Sequence, residues 1–285
     1  MVNYRNAEDT IACLDSIEKA GGAGFRIFVI ENASGDGSAG KLVNYLKDVK
    51  LNCQLLVMES NIGFASGCNA GIRAALGEGC SHILLLNNDT LVSPDFGAGV
   101  LEAAEGNPDS VVAGFISDLG TGRPAQNHGR ISRFTFLIEF DFSERPGPIK
   151  PIDFVSGCMM LVPVAVFTKI GFLKDDFFLY CEDLEFCLRM KKHGIALKYA
   201  SCLAVEHRVS SSVTKTNFPK EYYRMRNHTY AVLKMANPLQ KFIYALRVAG
   251  VLVKRRGDRR LFREFRLGLA DALNGRLGYR GDLAE

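Results

Sequence analysis

The sequence predicts an α/β protein, with a mostly parallel, doubly wound sheet flanked by helices and a helical extension at the C-terminal end. Two observations carry that reading. In the first third, short aliphatic runs alternate with stretches of helical spacing over short connections, the pattern of right-handed βαβ units. From about residue 220 onward the pattern is helical throughout, broken at Pro238 and Gly257.

The elements follow in order. Met1-Val2-Asn3-Tyr4 leaves room for only a very short or truncated first strand before Asn6, a candidate helix cap. Ile11, Leu14 and Ile17 then recur at helical spacing until Gly21-Gly22 stops the helix. Ile27-Phe28-Val29-Ile30, Leu55-Leu56-Val57-Met58 and Ile83-Leu84-Leu85-Leu86 read as strands buried on both faces. Helices are expected between them, from about Ser38 to Lys47 and from about Ser66 to Leu76. The four prolines between Gly120 and Pro151 predict irregular connection there. Phe154 to Val162 is an apolar strand, and Pro163 opens a short helix that Gly171 ends. Glu182 to His193 is helical, with Gly194 as its stop, and Cys202-Leu203-Ala204-Val205 is a further apolar run.

Composition bounds the function. At 285 residues, 47% hydrophobic and 23% charged, the chain is long enough for a large core and is neither disordered nor collagen-like. No run reaches the roughly 18 apolar residues of a membrane span, and the N-terminus lacks a signal segment. Eight cysteines without a CxxC pair read as reduced thiols in the cytoplasm, rather than as a zinc site or disulfide framework. Charge is uneven: Leu239 to Glu285 holds 11 Lys/Arg against 5 Asp/Glu, while the first 238 residues hold 24 against 26. A solvated helix face would account for that tail, and so would an acidic partner or anionic surface.

In a doubly wound sheet, ligands bind at the carboxyl ends of the strands. Asn87-Asn88-Asp89 follows the third aliphatic run, so Asp89 is a candidate ligand for a hard cation such as Mg²⁺ or Mn²⁺. An isolated Asn-Asn-Asp, however, more often satisfies its own turn. Glu182, Asp183 and Glu185 open a helix directly after the aromatic run Phe177-Phe178-Leu179-Tyr180. The helix dipole explains one or two of these acids, and the aromatic wall would desolvate a carboxylate enough to raise its basicity. His207, at a strand end, is a metal or phosphate ligand or an ordinary histidine. Gly63, Gly67 and Gly71, with Asn61 and Asn69, would let a backbone approach a nucleotide, although they do not spell the GxGxxG fingerprint and no P-loop occurs.

Taken together, Val2-Asn3-Tyr4, Ile30-Glu31-Asn32-Ala33-Ser34-Gly35-Asp36-Gly37-Ser38, Asn61-Ile62-Gly63-Phe64, Asn69-Ala70-Gly71, Leu85-Leu86-Asn87-Asn88-Asp89-Thr90, Gly157-Cys158-Met159-Met160-Leu161 and Phe178-Leu179-Tyr180-Cys181-Glu182-Asp183 resemble the motif series of family 2 glycosyltransferases. The likeness covers residues 2 to about 210. It is nearest to the bacterial branch that includes rhamnosyltransferases of surface polysaccharide assembly, and Gly275-Arg276-Leu277-Gly278-Tyr279 matches that branch more weakly. The resemblance implies a GT-A type, Rossmann-like catalytic domain over residues 1–215 and a basic helical extension over 216–285. It implies an inverting transfer from a nucleoside diphosphate sugar to a hydroxyl of a glycan or polyprenyl-diphosphate-linked acceptor, with Mg²⁺ or Mn²⁺ and without nucleic acid.

Roles follow position by position. The resemblance makes Asp183 the catalytic base, with Glu182 orienting the acceptor. Val2, Tyr4, Glu31, Asn61, Gly63, Asn69, Asn88 and Asp89 would bind the nucleotide sugar, and Asp89 with His207 would hold the metal. Two departures stand out: Asn87 replaces the first acid of the metal motif, and Glu31 stands where an Asp is usual. The competing readings are a sugar nucleotidyltransferase, disfavoured because Val2-Asn3-Tyr4-Arg5-Asn6 is no glycine-rich phosphate loop, and a noncatalytic binding module at a membrane surface. In the tail, Phe242, Leu246, Ala249 and Val253 share one helical face beside a run of arginines. That pattern fits peripheral attachment to the anionic inner face of the plasma membrane, and its rival is packing on the catalytic domain or on a second copy in a homodimer.

Overall fold

The computed structural model describes residues 1–125, 128–143, 150–208 and 218–283. The strands β1 (Val2–Asn3), β2 (Arg26–Glu31) and β3 (Asn52–Val57) form a parallel sheet in that order, with Val2 opposite Ile30 and Ile30 opposite Leu56. Helices α1 (Ala7–Lys19) and α2 (Ser38–Tyr45) make the two crossovers, and α3 (Phe64–Leu76) leads from β3 to the second sheet. Asn6 stands at the N-cap of α1, but its amide donates to Asp9 Oδ2 (2.6 Å) instead of capping the helix with its oxygen.

A second sheet of six strands continues the body in the order β4 (His82–Leu86), β11 (Met159–Pro163), β6 (Ser110–Asp118), β12 (Ala196–His207) and β5 (Thr90–Val92), with β9 (Lys150–Ile152) also paired to β12. Here β6 and β12 are parallel and the other pairs antiparallel, so parallel pairing belongs chiefly to the βαβ units. Helix α4 (Phe96–Gly106) links β5 to β6. The segment expected to be irregular contains short strands instead. β7 (His128–Ile131) and β8 (Ile138–Phe140) pair antiparallel beside β10 (Phe154–Val155), while residues 126–127 and 144–149 lie outside the described residues. Three-residue strands that are half exposed leave no aliphatic run to read.

Alternation explains the core. Phe28, Ile30, Met160 and Val162 pack on one face with α3 and with α6 (Glu182–Lys192), while Ile27, Val29, Met159 and Leu161 pack on the other with α1 and α4. Both faces are covered, which is why these strands are continuously apolar. Helix α5 (Val164–Ile170) follows β11. The C-terminal helices α7 (Lys220–Met235), α8 (Pro238–Lys254) and α9 (Arg259–Leu273) add Met225, Val232, Tyr244, Val248 and Phe265 to the first of these cores. The boundary expected at 215/216 falls among residues 209–217, outside the described residues. Among the described residues no helix is long and apolar enough to cross a membrane. A cavity of about 480 Å³ lies between β2 and β4, lined mainly by apolar residues such as Phe28, Ile30, Ile72, Leu84, Phe96 and Val100, with Arg26, Asn52, Glu78 and His82 at or just ahead of the starts of the strands, away from their carboxyl ends.

Candidate active site

The polar residues converge where strands end. After β4 the chain turns at Asn87, whose N–H donates to the Cys158 carbonyl (2.8 Å) and whose own carbonyl accepts from Thr90 Oγ1 (2.8 Å). β5 then pairs with β12 so that Thr90 stands opposite His207. This register places His207 Nε2 3.0 Å from Asp89 Oδ1, and the Arg208 N–H donates to the Asp89 carbonyl (2.9 Å). Asp89 is buried and His207 half-buried. Burial opposes the imidazolium, but hydrogen bonds to Asp89 and Cys158 outweigh it and raise the His207 pKa to about 10. Asn88 is turned inward, donating to Thr10 Oγ1 (2.8 Å), which itself donates to Asn3 Oδ1 (2.8 Å).

Among the described residues no cluster of three or more His, Cys, Asp or Glu side chains is placed to hold a metal. Asp89 and His207 are a two-ligand set, and the Asn87 side-chain oxygen beside them is buried without a partner. One carboxylate and one imidazole, the latter giving up its Nε2 proton to the cation, completed by phosphate oxygens of a substrate, suit Mg²⁺ or Mn²⁺.

The second acidic group comes from the start of α6. Asp183 Oδ2 accepts from the Gly157 N–H (3.2 Å) and Oδ1 from the Leu184 N–H (2.8 Å), so both oxygens are aimed by main chain. Gly157, which donates to Asp183, and Cys158, whose carbonyl accepts from the Asn87 N–H, lead together into β11, which brings the Asp183 and Asp89 loops to one edge of the sheet. Glu182 is deeply buried with Oε2 unpartnered, whereas Asp183 is half-buried. Burial, followed by the charge of Asp183, pushes the Glu182 pKa up to about 8. Burial also raises Asp183, against the two N–H donors that favour its charge. The deeper burial of Glu182 thus favours its neutral form more strongly, while the two N–H donors favour the charge on Asp183. Glu185, the third acid, pairs with Arg189 (2.7 Å) in the scaffold.

The turn before α6 is unusual. Tyr180 and Cys181 are consecutive non-glycine residues with φ +68° and +67°, a left-handed conformation that costs on the order of 1–2 kcal/mol per residue. Phe178 anchors it: its carbonyl accepts from the Phe64 N–H (2.8 Å), and its ring packs on Tyr223 and Tyr279. Gly63 fits against it because its φ is +85° and a Cβ would fall 2.4 Å from the Phe178 oxygen.

The remaining expected residues divide. Asn61 lies in a polar loop held by Asn32, which donates to Asn61 Oδ1 (3.0 Å) and to the Gly63 carbonyl (3.2 Å) and accepts from the Ile62 N–H (3.0 Å). Glu31, at the end of β2, is buried and accepts from the Ser34 N–H (2.9 Å). Tyr4 is half-buried, its ring stacked at 6.0 Å on Phe218. Val2 packs against Gly67. Asn69 is fully buried, and its amide both donates to and accepts from the main chain of Leu173 (2.8 and 3.1 Å), so it braces a loop. Sequence reasoning passed over Asn32, which organises the 61–63 loop, and Asn227, which donates to the carbonyls of Leu179 (3.0 Å) and Tyr180 (2.8 Å). The available signal was a polar Arg226-Asn227 pair on the apolar side of a helix.

The profile of Glycosyl transferase family 2 matches residues 1–171. The chain belongs to that family. It is 26% identical over 209 residues to the dTDP-rhamnosyl transferase RfbF of Shigella flexneri, covering 70% of this chain and 69% of that one. It is 27% identical over 169 residues to the low-salt glycan biosynthesis hexosyltransferase Agl10 of Haloferax volcanii, covering 57% of this chain and 53% of that one. The chain thus spans about half the length of Agl10. Among solved structures, GalNAc-T7 with UDP, GalNAc and Mn²⁺ aligns with a TM-score of 0.61 at 14% identity, over 88% of this chain and 51% of that one. S. aureus TarS 1-349 in complex with UDP-GlcNAc aligns at 0.57 and 15%, over 96% and 79%. At such identities these structures speak for the fold alone, the GT-A fold of glycosyltransferases.

Proposed function

We propose that this family member is an inverting, divalent-metal-dependent glycosyltransferase. It moves a hexosyl or deoxyhexosyl group from a nucleoside diphosphate sugar to a hydroxyl of a glycan or lipid-linked glycan. The observation that carries this is Asp183, a half-buried carboxylate with both oxygens aimed by main-chain N–H groups, on the same sheet edge as Asp89 and His207. In the reaction, Asp183 takes the acceptor's hydroxyl proton as that oxygen bonds to the anomeric carbon. The bond from that carbon to the diphosphate oxygen breaks, and its electron pair leaves with the nucleoside diphosphate. Protonated Glu182 lets Asp183 keep the charge needed to accept the proton. Asp89 and His207 would hold the Mg²⁺ or Mn²⁺, which when bound neutralises charge on the diphosphate. Tyr4, Glu31 and the Asn61–Gly63 loop would receive the nucleoside.

The name of the Shigella relative makes dTDP-rhamnose the first donor to try. Thermal shifts with dTDP-rhamnose, UDP-GlcNAc and GDP-mannose, each with and without Mn²⁺, test donor binding, because a ligand of the folded state raises apparent stability. A metal-dependent rise with one donor supports the reading. The Asp183→Asn variant is expected to keep that rise and to lose about a thousandfold in turnover; turnover near the native rate would remove Asp183 from the mechanism.

Peripheral attachment to an anionic membrane at the cytoplasmic face belongs to the same proposal. It is supported by α8, where Leu239, Phe242, Leu246 and Val253 are each about 60% exposed along one helix face. Lys254, Arg255, Arg256, Arg259 and Arg260, all exposed, follow that face directly.

A further inference from the structure

We propose that Asn227, on the C-terminal helix α7, is the positioning residue for the Glu182-Asp183 pair, acting through the strained turn ahead of it. The proposal rests on the reading of Asp183 as the base.

The two carboxylates begin α6 immediately after Tyr180 and Cys181, which hold positive φ without being glycine. Such a pair persists only where the surroundings over-determine it. Three groups do so here. From the nucleotide side, the Phe64 N–H binds the Phe178 carbonyl, with Gly63 packed against it. From within, the Cys181 carbonyl accepts the Glu185 N–H (3.0 Å), the first bond of α6. From the opposite side, the single amide nitrogen of Asn227 donates to two successive carbonyls, those of Leu179 and Tyr180, which flank the first left-handed residue.

The amide can serve in only one orientation. Asn227 is fully buried, and its Oδ1 accepts from Arg226 Nε (2.8 Å), a guanidinium that offers only donors. A flipped amide would face donor to donor and acceptor to acceptor. Arg226 is itself fixed, because Nη1 donates to the Gly278 carbonyl (2.6 Å) and the Gly278 N–H binds the Asp176 carbonyl (2.8 Å). The Arg-Asn pair thus ties the C-terminal segment to both ends of the 176–181 loop. Without the amide, two carbonyls lose their donor, and Tyr180 and Cys181 relax toward negative φ. That motion turns the first residues of α6, and an ångström of misplacement suffices to cost about a hundredfold in rate.

Three variants test this: Asn227→Ala; Asn227→Ser, which keeps at most one of the two bonds; and Asn227→Ala combined with Cys181→Gly, in which glycine takes φ near +67° without strain. Two readouts are used, namely hydrogen exchange of amides 178–186 and turnover of the donor selected by the thermal shifts. Asn227→Ala is expected to speed exchange in that segment and to lower kcat about a hundredfold, with the donor KM within twofold. Asn227→Ser should fall between, and Cys181→Gly should return at least tenfold of the lost kcat, which repair of a general folding defect would not do. If Asn227→Ala does not fold, the serine variant carries the same test with a smaller effect. Native exchange and native kcat in both single variants, or no rescue by Cys181→Gly, would overturn the proposal. Should Asp183→Asn retain full turnover, the base assignment fails separately, and the exchange data still decide whether Asn227 holds the turn.

Discussion

Glu182 should weaken the fold that contains it, and the effect can be sized. Its folded pKa, about 8, lies well above the ordinary carboxyl value of 4.5, because burial and then the charge of Asp183 disfavour its ionisation. Between those two values the unfolded chain has released a proton that the native chain retains. Stability is therefore lost as pH rises from 4.5 toward 8. At 1.36 kcal/mol for each pH unit, the loss is about 3 kcal/mol at pH 7 and about 5 kcal/mol by pH 9. Glu182→Gln, a neutral group of the same shape, removes that loss. Near pH 4.5 the two proteins should match to within about 1 kcal/mol, since glutamine and the protonated acid are both neutral in the same pocket. At pH 7 the variant should melt roughly 6–12 °C higher, taking about 2–4 °C per kcal/mol for a chain of this size. Calorimetry or denaturant titration at several pH values measures the gap. A gap of constant size from pH 5 to pH 9 would show that Glu182 is not held protonated, and the division of roles between the two acids would fall with it.

Other outcomes follow from the same geometry. Asp89→Ala should abolish the Mn²⁺-dependent part of the donor's thermal shift while leaving a smaller metal-independent part; calorimetric titration of donor with and without Mn²⁺ checks this, and equal responses in both proteins would refute the metal assignment. Gly63→Ala should cost about 3 kcal/mol in denaturant unfolding, from positive φ, a contact of 2.4 Å with the Phe178 oxygen and a weakened Phe64–Phe178 hydrogen bond. For the tail, anionic vesicles should bind the protein in a salt-sensitive way and neutral vesicles should not, with binding lost when Arg255, Arg256, Arg259 and Arg260 become Gln. Equal binding to both vesicle types, or to neither, would leave the α8 face to packing or self-association.

The sequence was legible where one physical demand dominated. β2, β4 and β11 are buried on both faces, so their aliphatic runs could be read directly; the abrupt change to Asn87-Asn88-Asp89 or Glu182-Asp183 then marked the sheet's polar edge. β7, β8 and β9 were hidden because three or four residues, partly exposed, carry no period. The antiparallel seat of β11 between β4 and β6 was hidden because pairing across more than 40 residues leaves no local trace. His207 could be named only as a strand-end histidine until the β5–β12 register placed it opposite Thr90.

Asn32 and Asn227 escaped for a further reason. Each is an asparagine that, besides one side-chain partner (Asn61 for Asn32, Arg226 for Asn227), bonds main-chain groups remote in sequence, which leave no side-chain pattern to read. Yet they act on opposite sides of one object. Asn32 sets the loop that presents Gly63 and the Phe64 N–H to Phe178, and Asn227 holds Leu179 and Tyr180, the next two residues. The turn carrying Asp183 is therefore clamped between the loop expected to meet the donor's nucleoside and the helices that follow the catalytic sheet. A change in either clamp moves the same carboxylates. Substitutions at Asn32 and Asn227, which lie on different elements, should consequently affect turnover less than additively, whereas sites acting independently would add to within about 0.5 kcal/mol.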